Sequence, residues 1–262
     1  MKALHTAGTG MKVQQLQVDT IANNLANANT AGFKRTQIDF QDLLYVNLQR
    51  PGLETSSGVV SPTGLQVGSG ARAASTTKVF SQGVISETHR DLDIAIQGDG
   101  FYQVALPDGS TAYTRDGSFR LNAQGALVTT DGLPLVDGIT IPADATSIQV
   151  GKDGTISVIS AGAPETTTQV GQLNLARFAN PAGLSSEGGN LFRETPASGT
   201  PTAGVPGQDG RGQLMQSFLE RSNVEVVTEL VNLIIAQRAY EVNSRAIKTG
   251  DEMLGIANSM TR

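Results

Sequence analysis

The sequence predicts an α+β fold: N- and C-terminal helices pairing as a coiled coil, with an inserted all-β antiparallel domain. Three observations predict it. Apolar heptads fill the first 28 residues, a second heptad run follows residue 222, and repeated Asp-Gly pairs punctuate the stretch between. A sustained seven-residue apolar repeat marks helices that pair along a narrow seam. Asp-Gly supplies the positive φ angles of tight hairpin turns.

The first segment is residues 1–31. Leu4, Met11, Val18 and Leu25 recur every seven residues, and Ala7, Gln14, Ile21 and Ala28 recur offset by three. This predicts a helix over 3–28, about 39 Å long, with Gly32 as its left-handed terminator. Between Ala3 and Ala31 the only charges are Lys12 and Asp19; the outward positions hold Asn23, Asn24, Asn27, Asn29, Gln15, Gln17, Thr6 and Thr20. A solvated helix face normally carries Lys and Glu, so small amides suit a helix with neighbours on several sides. Gly8 and Gly10 each weaken it by about 1 kcal/mol. The segment is expected to be helical only when packed.

Residues 32–71 read as an extended connector, and Pro51 to Thr77, rich in Gly, Ser, Thr and Pro, reads as loop. Residues 72–221 read as the β-rich domain. Asp-Gly pairs punctuate it at 99–100, 108–109, 116–117, 131–132, 137–138 and 153–154, among others. Between them lie the strand candidates Ile94 to Ile96, Phe101 to Leu106, Phe119 to Leu121, Ala126 to Thr129, Ser147 to Val150 and Thr155 to Ile159. Thr195 to Gly212 reads as a second loop.

The last segment is 222–262. Ser222 and Glu225 have capping-box spacing, which predicts a helix from about Asn223. Val226, Leu233, Tyr240, Ile247 and Leu254 form one seam; Leu230 opens the companion row. Val224, Val227, Val231, Ile234 and Ile235 make the first third apolar nearly all round, the pattern of a buried helix end. Glu241 and Arg245 stand at a favourable i,i+4 spacing.

The simplest closure brings both chain ends together. Leu4, Met11, Val18, Ile21 and Leu25 are then expected to meet the C-terminal seam, within one chain or between copies. Both seams are narrow and partly polar, so sister copies covering the amide-rich faces would add what one pair lacks. Head-to-tail contacts between identical subunits build rings or helical assemblies. Periodicity alone leaves open a simple two-helix hairpin or dimer, the commoner use of heptads.

Composition excludes several classes. With 24 acidic and 19 basic residues the net charge is -5, against a nucleic-acid binder, which needs a basic face. Charged residues are 16% of the chain, too few for charge-driven disorder. Aromatics are 5% and Trp is absent, so a single large core is not expected. Without cysteine there is no disulfide, thiolate nucleophile or Cys-ligated zinc. The first residues hold no apolar run of signal-peptide length, and no cleaved secretion signal is expected. Val224 to Ala236 is too short and too charged to span a bilayer, so no membrane insertion is expected.

Candidate chemistry is sparse. His5 sits beside Leu4, and His89 falls in a loop without a His-x-x-x-His partner. Asp91, Asp93 and Asp99 lack EF-hand spacing and read as turn caps. Gly68 to Ala73 matches Gly-x-Gly-x-x-Ala without the βαβ unit that a dinucleotide site needs, and reads as a flexible loop. Tyr113, Arg115 and Asp116 could in principle bind sugar, but read better as a surface turn. No catalytic residue, metal or cofactor is expected.

Ile21-Ala22-Asn23-Asn24-Leu25-Ala26-Asn27-Ala28-Asn29-Thr30-Ala31-Gly32-Phe33-Lys34-Arg35 resembles the N-terminal signature of bacterial flagellar rod and hook proteins. Ser222 to Asn232 and Gln237 to Ser244 resemble their C-terminal signature, and Gly98 to Val104 and Tyr113 to Phe119 resemble their β domain. Within the family the distal rod members match best, because of chain length, Gln237 to Glu241, and the segment Tyr45 to Gly64 after Asp42-Leu43-Leu44.

The resemblance implies a structural subunit of the distal rod, exported without a cleaved signal by the flagellar type III apparatus. Copies would polymerise in the periplasm into a rigid tubular drive shaft that carries torque from motor to hook. The terminal helices would line the inner tube and the β domain its outer wall. Residues 45–64 would bridge neighbouring subunits along the rod. Partners would be further copies, proximal rod proteins, the hook protein and the bushing rings of the peptidoglycan layer and outer membrane. A proximal rod or hook paralogue is the nearest alternative; a periplasmic glycan-binding β domain on coiled-coil arms is a more distant one.

Overall fold

The computed structural model describes residues 2–49, 54–56, 59–60, 63–162 and 166–260. The chain folds as two compact units: residues 1–26, 36–77 and 225–262 form one, and residues 27–35 and 78–224 the other. The expected α+β class holds, with one helix near each end and antiparallel strand pairs between them.

In the first unit, helix α1 spans Lys2–Ala26 and helix α2 spans Val226–Met260. They run antiparallel: a Cβ added at Gly250 would meet Leu4, and one at Gly10 would lie 3.0 Å from Asn243. The pairing of the terminal helices is thus realised within one chain. α1 ends two residues earlier than predicted. Gly32 does adopt a left-handed φ of 66°, but it closes the turn that follows the helix and is not its immediate cap.

α2 begins at Val226, not Asn223, and the predicted capping box does not form. Asn223 is engaged elsewhere: its Oδ1 accepts from the Arg35 amide at 2.7 Å and its Nδ2 donates to the Val79 carbonyl at 2.8 Å. Ser222 Oγ accepts from the Val224 amide at 3.3 Å. Glu225 instead accepts from the Thr228 hydroxyl at 2.8 Å.

Strand Thr36–Asp42 pairs with Ala71–Lys78, and Val46–Gln49 pairs antiparallel with Leu65–Val67. The loop expected over 51–77 is therefore partly β-structure. Its polar residues make cross-strand pairs on an exposed ribbon: Ser75 and Thr77 hydroxyls donate to Asp39, and Arg72 donates to Gln41. The expected boundaries at 31/32 and 71/72 shift for the same reason. Residues 36–77 are tied together by this ribbon and residues 27–35 belong to the second unit.

The second unit holds the predicted strands as Ile94–Gln97, Tyr102–Ala105, Arg120–Leu121, Leu127–Val128, Ala145–Val150 and Thr155–Ser160. Tyr102–Ala105 and Thr111–Thr114 form a hairpin through Asp108-Gly109. That hairpin extends through Leu191–Arg193 and Ser185–Gly188 into a four-stranded sheet. Ala145–Val150, Thr155–Ser160 and Thr167–Gln172 form a three-stranded one. Of the seven Asp-Gly glycines, Gly210 included, six have positive φ. Gly117 does not: it is small because the Ile94 carbonyl oxygen occupies the place of its Cβ.

Burial divides into two clusters, as the low aromatic content suggested. One is aliphatic, around Ile94, Ile96, Val104, Leu173 and Leu175 with Tyr102. The other is aromatic, with Phe101, Tyr113, Phe178 and Phe192 packed edge to face and Phe80 against them.

Candidate functional site

The motif Gly32-Phe33-Lys34 enters the second unit. The Gly32 amide donates to the Glu220 carbonyl at 2.8 Å. A side chain at Gly32 would collide with the backbone at Arg115 and Asp116. Phe33 lies under the Lys78 ammonium, 5.1 Å from the ring centre. Lys34 Nζ donates to Glu220 Oε1 at 2.6 Å and to the Ser81 carbonyl at 2.8 Å. Arg115 approaches the other Glu220 oxygen, Nε to Oε2, at 3.2 Å. Lys34, Arg115 and Glu220 are all buried.

A buried ion needs a partner and its remaining hydrogen bonds. Glu220 Oε1 also accepts from the Gly83 amide at 2.8 Å, and Arg115 Nη1 donates to the carbonyls of Gly98 and Gly100. Burial holds the Lys34 ammonium below its usual range; Arg115 pushes the same way and Glu220 opposes. Tyr113 and Arg115 are therefore not a surface turn, as the sequence suggested. They are interior residues, and only Asp116, which caps Ser118, behaves as a turn residue.

Along the helices, Leu4, Met11, Val18 and Leu25 are half-buried and Ile21 is buried. Leu233 and Ile247 are half-buried, whereas Val226, Leu230, Tyr240 and Leu254 are exposed. Leu230, expected on the companion seam, is 42% exposed. That row falls one residue earlier, on Glu229, Ala236, Asn243 and Gly250; Glu229 and Ala236 are buried, and Gly10 and Gly250 admit a close approach at Asn243 and Leu4. Counting large apolar residues misses such a row. The heptad rows also pass by Val13, and Asn24, whose amide clasps Thr36 with two hydrogen bonds of 2.9 Å. Asn23 is exposed and Asn27 half-buried.

The all-round apolar start of α2 is not buried in the single chain. Val227 is 70% exposed, Ile234 57% and Ile235 59%. A groove of about 400 Å³ opens beside it, lined by Gln15, Val18, Gln237, Tyr240 and Glu241. Leu44, Tyr45 and Leu48 on the ribbon are likewise exposed. Of the segment 45–64, residues 50–53, 57–58 and 61–62 lie outside the described residues.

The remaining candidates stay apart. His5 and His89 are both exposed, and His89 Nδ1 lies 3.3 Å from Glu87. Asp93 is buried and held by Arg90, unlike exposed Asp91 and Asp99. Among the described residues no three His, Cys, Asp or Glu side chains gather as a metal site, and no helix is long and apolar enough to cross a membrane. Gly68 to Gly70 leads into a strand, not a helix.

Three family models match: the flagella basal body rod protein model over residues 4–34, the flagellar hook protein FlgE/F/G D1 domain over 95–158, and the flagellar basal body rod FlgEFG protein C-terminal model over 215–260. The chain is 51% identical to the flagellar basal-body rod protein FlgG of Caulobacter vibrioides, over 97% of each chain. It is 48% identical to the FlgG of Borreliella burgdorferi, over 100% of this chain and 99% of the relative. The chain belongs to the flagellar rod and hook family. A more distant relative, the flagellar hook-basal body complex protein FlhP of Bacillus subtilis, is 34% identical over 99% of each chain. Each family segment contributes one member of the buried ion cluster: Lys34 from the first, Arg115 from the second and Glu220 from the third.

Proposed function

We propose that this member of the rod and hook family is a structural subunit of the flagellar distal rod, polymerising into a rigid tubular drive shaft, with no catalytic role. The observation that carries the reading is the exposed apolar face of α2, Val227, Val231, Ile234 and Ile235. A contiguous apolar face on one chain marks a surface meant for another. Together with full-length similarity to proteins named for the basal-body rod, that surface favours sister subunits as its cover.

In this reading residues 1–31 and 222–262 line the tube, and Leu4, Met11, Val18, Ile21, Leu25, Leu233, Tyr240, Ile247 and Leu254, with Val226 and Leu230, form contacts within and between subunits. Residues 72–221 form the outer wall and 45–64 bridge subunits. The rod stands in the periplasm, with proximal rod proteins, hook protein and bushing rings as neighbours, reached through the type III export apparatus. The test is a label in 45–64, imaged in purified basal bodies. Density along the distal rod is expected; label confined to the proximal rod or hook would overturn the reading.

A further inference from the structure

The second unit contains a cavity of about 140 Å³ that the rod reading does not use. Phe80, Phe101 and Phe178 form its apolar walls, and Arg115, Arg177 and Asp99 its polar ones. The walls are braced: Phe101 packs edge to face on Phe80 at 5.5 Å and on Phe178 at 5.7 Å. The volume is close to the ~150 Å³ that holds a benzene ring in an engineered protein cavity.

Arg115 makes this more than an apolar hole. Its side chain is 4% exposed. Nη1 is engaged by the carbonyls of Gly98 and Gly100. Nε faces Glu220 Oε2 at 3.2 Å, yet neither atom completes a hydrogen bond. A deeply buried guanidinium that lines the cavity is thus under-satisfied at Nε. Arg177, also lining the cavity, is exposed, and its Nη1 donates over a long 3.4 Å to the Asp209 carbonyl. Among the lining side chains Arg115 and Arg177 outnumber Asp99, a surplus of one positive charge. Guanidinium forks match carboxylates.

We infer that this cavity binds a carboxylate carried on an apolar body of about ring size. Two sources share that chemistry: a free small acid, and a Glu side chain presented beside an apolar neighbour by a second copy of this chain.

The probe is benzoate, titrated into the full chain and followed by amide NMR shifts at Gly100, Phe101 and Ala179. Saturable shifts at these residues are expected, with benzyl alcohol, equal in shape but uncharged, binding roughly tenfold more weakly. Arg177→Gln, at an exposed site that leaves the fold intact, is expected to weaken benzoate severalfold. Asp99→Asn, which removes a repelling charge, is expected to tighten it. Unsaturable shifts, equal binding of the two probes, or indifference to both variants would overturn the inference. Slower self-assembly with benzoate present identifies a second copy as the source, and unaltered assembly identifies a free acid. A chain that never assembles defeats the rod reading and leaves the binding result standing.

Discussion

Lys34 and Glu220 stand 186 positions apart in the chain, yet Nζ and Oε1 meet at 2.6 Å in a place solvent does not reach. Removing one partner of a buried pair strands the other charge. Glu220→Gln leaves Lys34 and Arg115 facing a neutral amide and is expected to cost about 3–5 kcal/mol. Lys34→Met leaves Glu220 with Arg115 and is expected to cost less. Urea midpoints of the two variants check the order; equal losses would show that Arg115 does not share the carboxylate.

The same pair sets the limits of the independently folding β unit. A fragment of residues 27–224 retains Gly32, Lys34 and Glu220 and is expected to melt cooperatively. A fragment of residues 72–221, which lacks Lys34 and the Gly32 amide, is expected to melt earlier or not to fold. Calorimetry on both decides; identical melting would remove residues 27–35 from the unit.

Gly117 and Gly109 follow Asp in the same way but for different reasons. Gly109 has φ of 82° and open space around it, so Gly109→Ala is expected to cost only about 1–2 kcal/mol from its backbone angle. At Gly117 a methyl meets the Ile94 carbonyl, so Gly117→Ala is expected to cost about 3 kcal/mol or more. Thermal melts of the two variants would reverse this order only if the strand at Ile94 yields.

Ile234 is exposed on α2, where a charge costs the single chain little. Ile234→Asp is expected to change monomer stability by no more than about 0.5 kcal/mol. It should abolish polymer seen in sedimentation. Normal polymer from this variant would remove the face from the assembly.

Tyr113 has its phenol pushed up to about 12, first by burial and then by neighbouring Glu194. Below pH 10 folded and unfolded chains both hold that proton, and its contribution to stability is complete. Between pH 10 and about 12 only the unfolded chain releases it, so stability falls as pH rises. Tyr102, fully buried, acts in the same direction. Tyrosinate absorbance against pH checks this. Ionisation of both residues before unfolding begins would contradict it.

Much of this architecture was legible because it is periodic or punctuated. Heptads located both helices, and Asp-Gly pairs located the hairpins at 108–109 and 153–154. What stayed hidden was non-local. The Lys34 partner lies near the far end of the chain, and nothing around Arg115 announces that its turn faces inward. The row of Ala236, Asn243 and Gly250 has no hydrophobic signal, since its value is closeness and not area. The ribbon at 71–78 escaped because its Ser and Thr residues resemble loop composition until Asp39 stands opposite them.

The β unit's chain crossings gather at one spot: Gly32 donates to Glu220, Arg35 to Asn223, Val79 to Arg35, and Asn223 to Val79, which holds the two ends of 79–223 together. A stretch of polypeptide whose two feet are clamped together can lengthen, shrink or be exchanged without changing the gap between those feet. A larger or smaller β unit therefore leaves that gap unchanged, which makes the clamp the natural cut point for grafting one paralogue's β unit onto another.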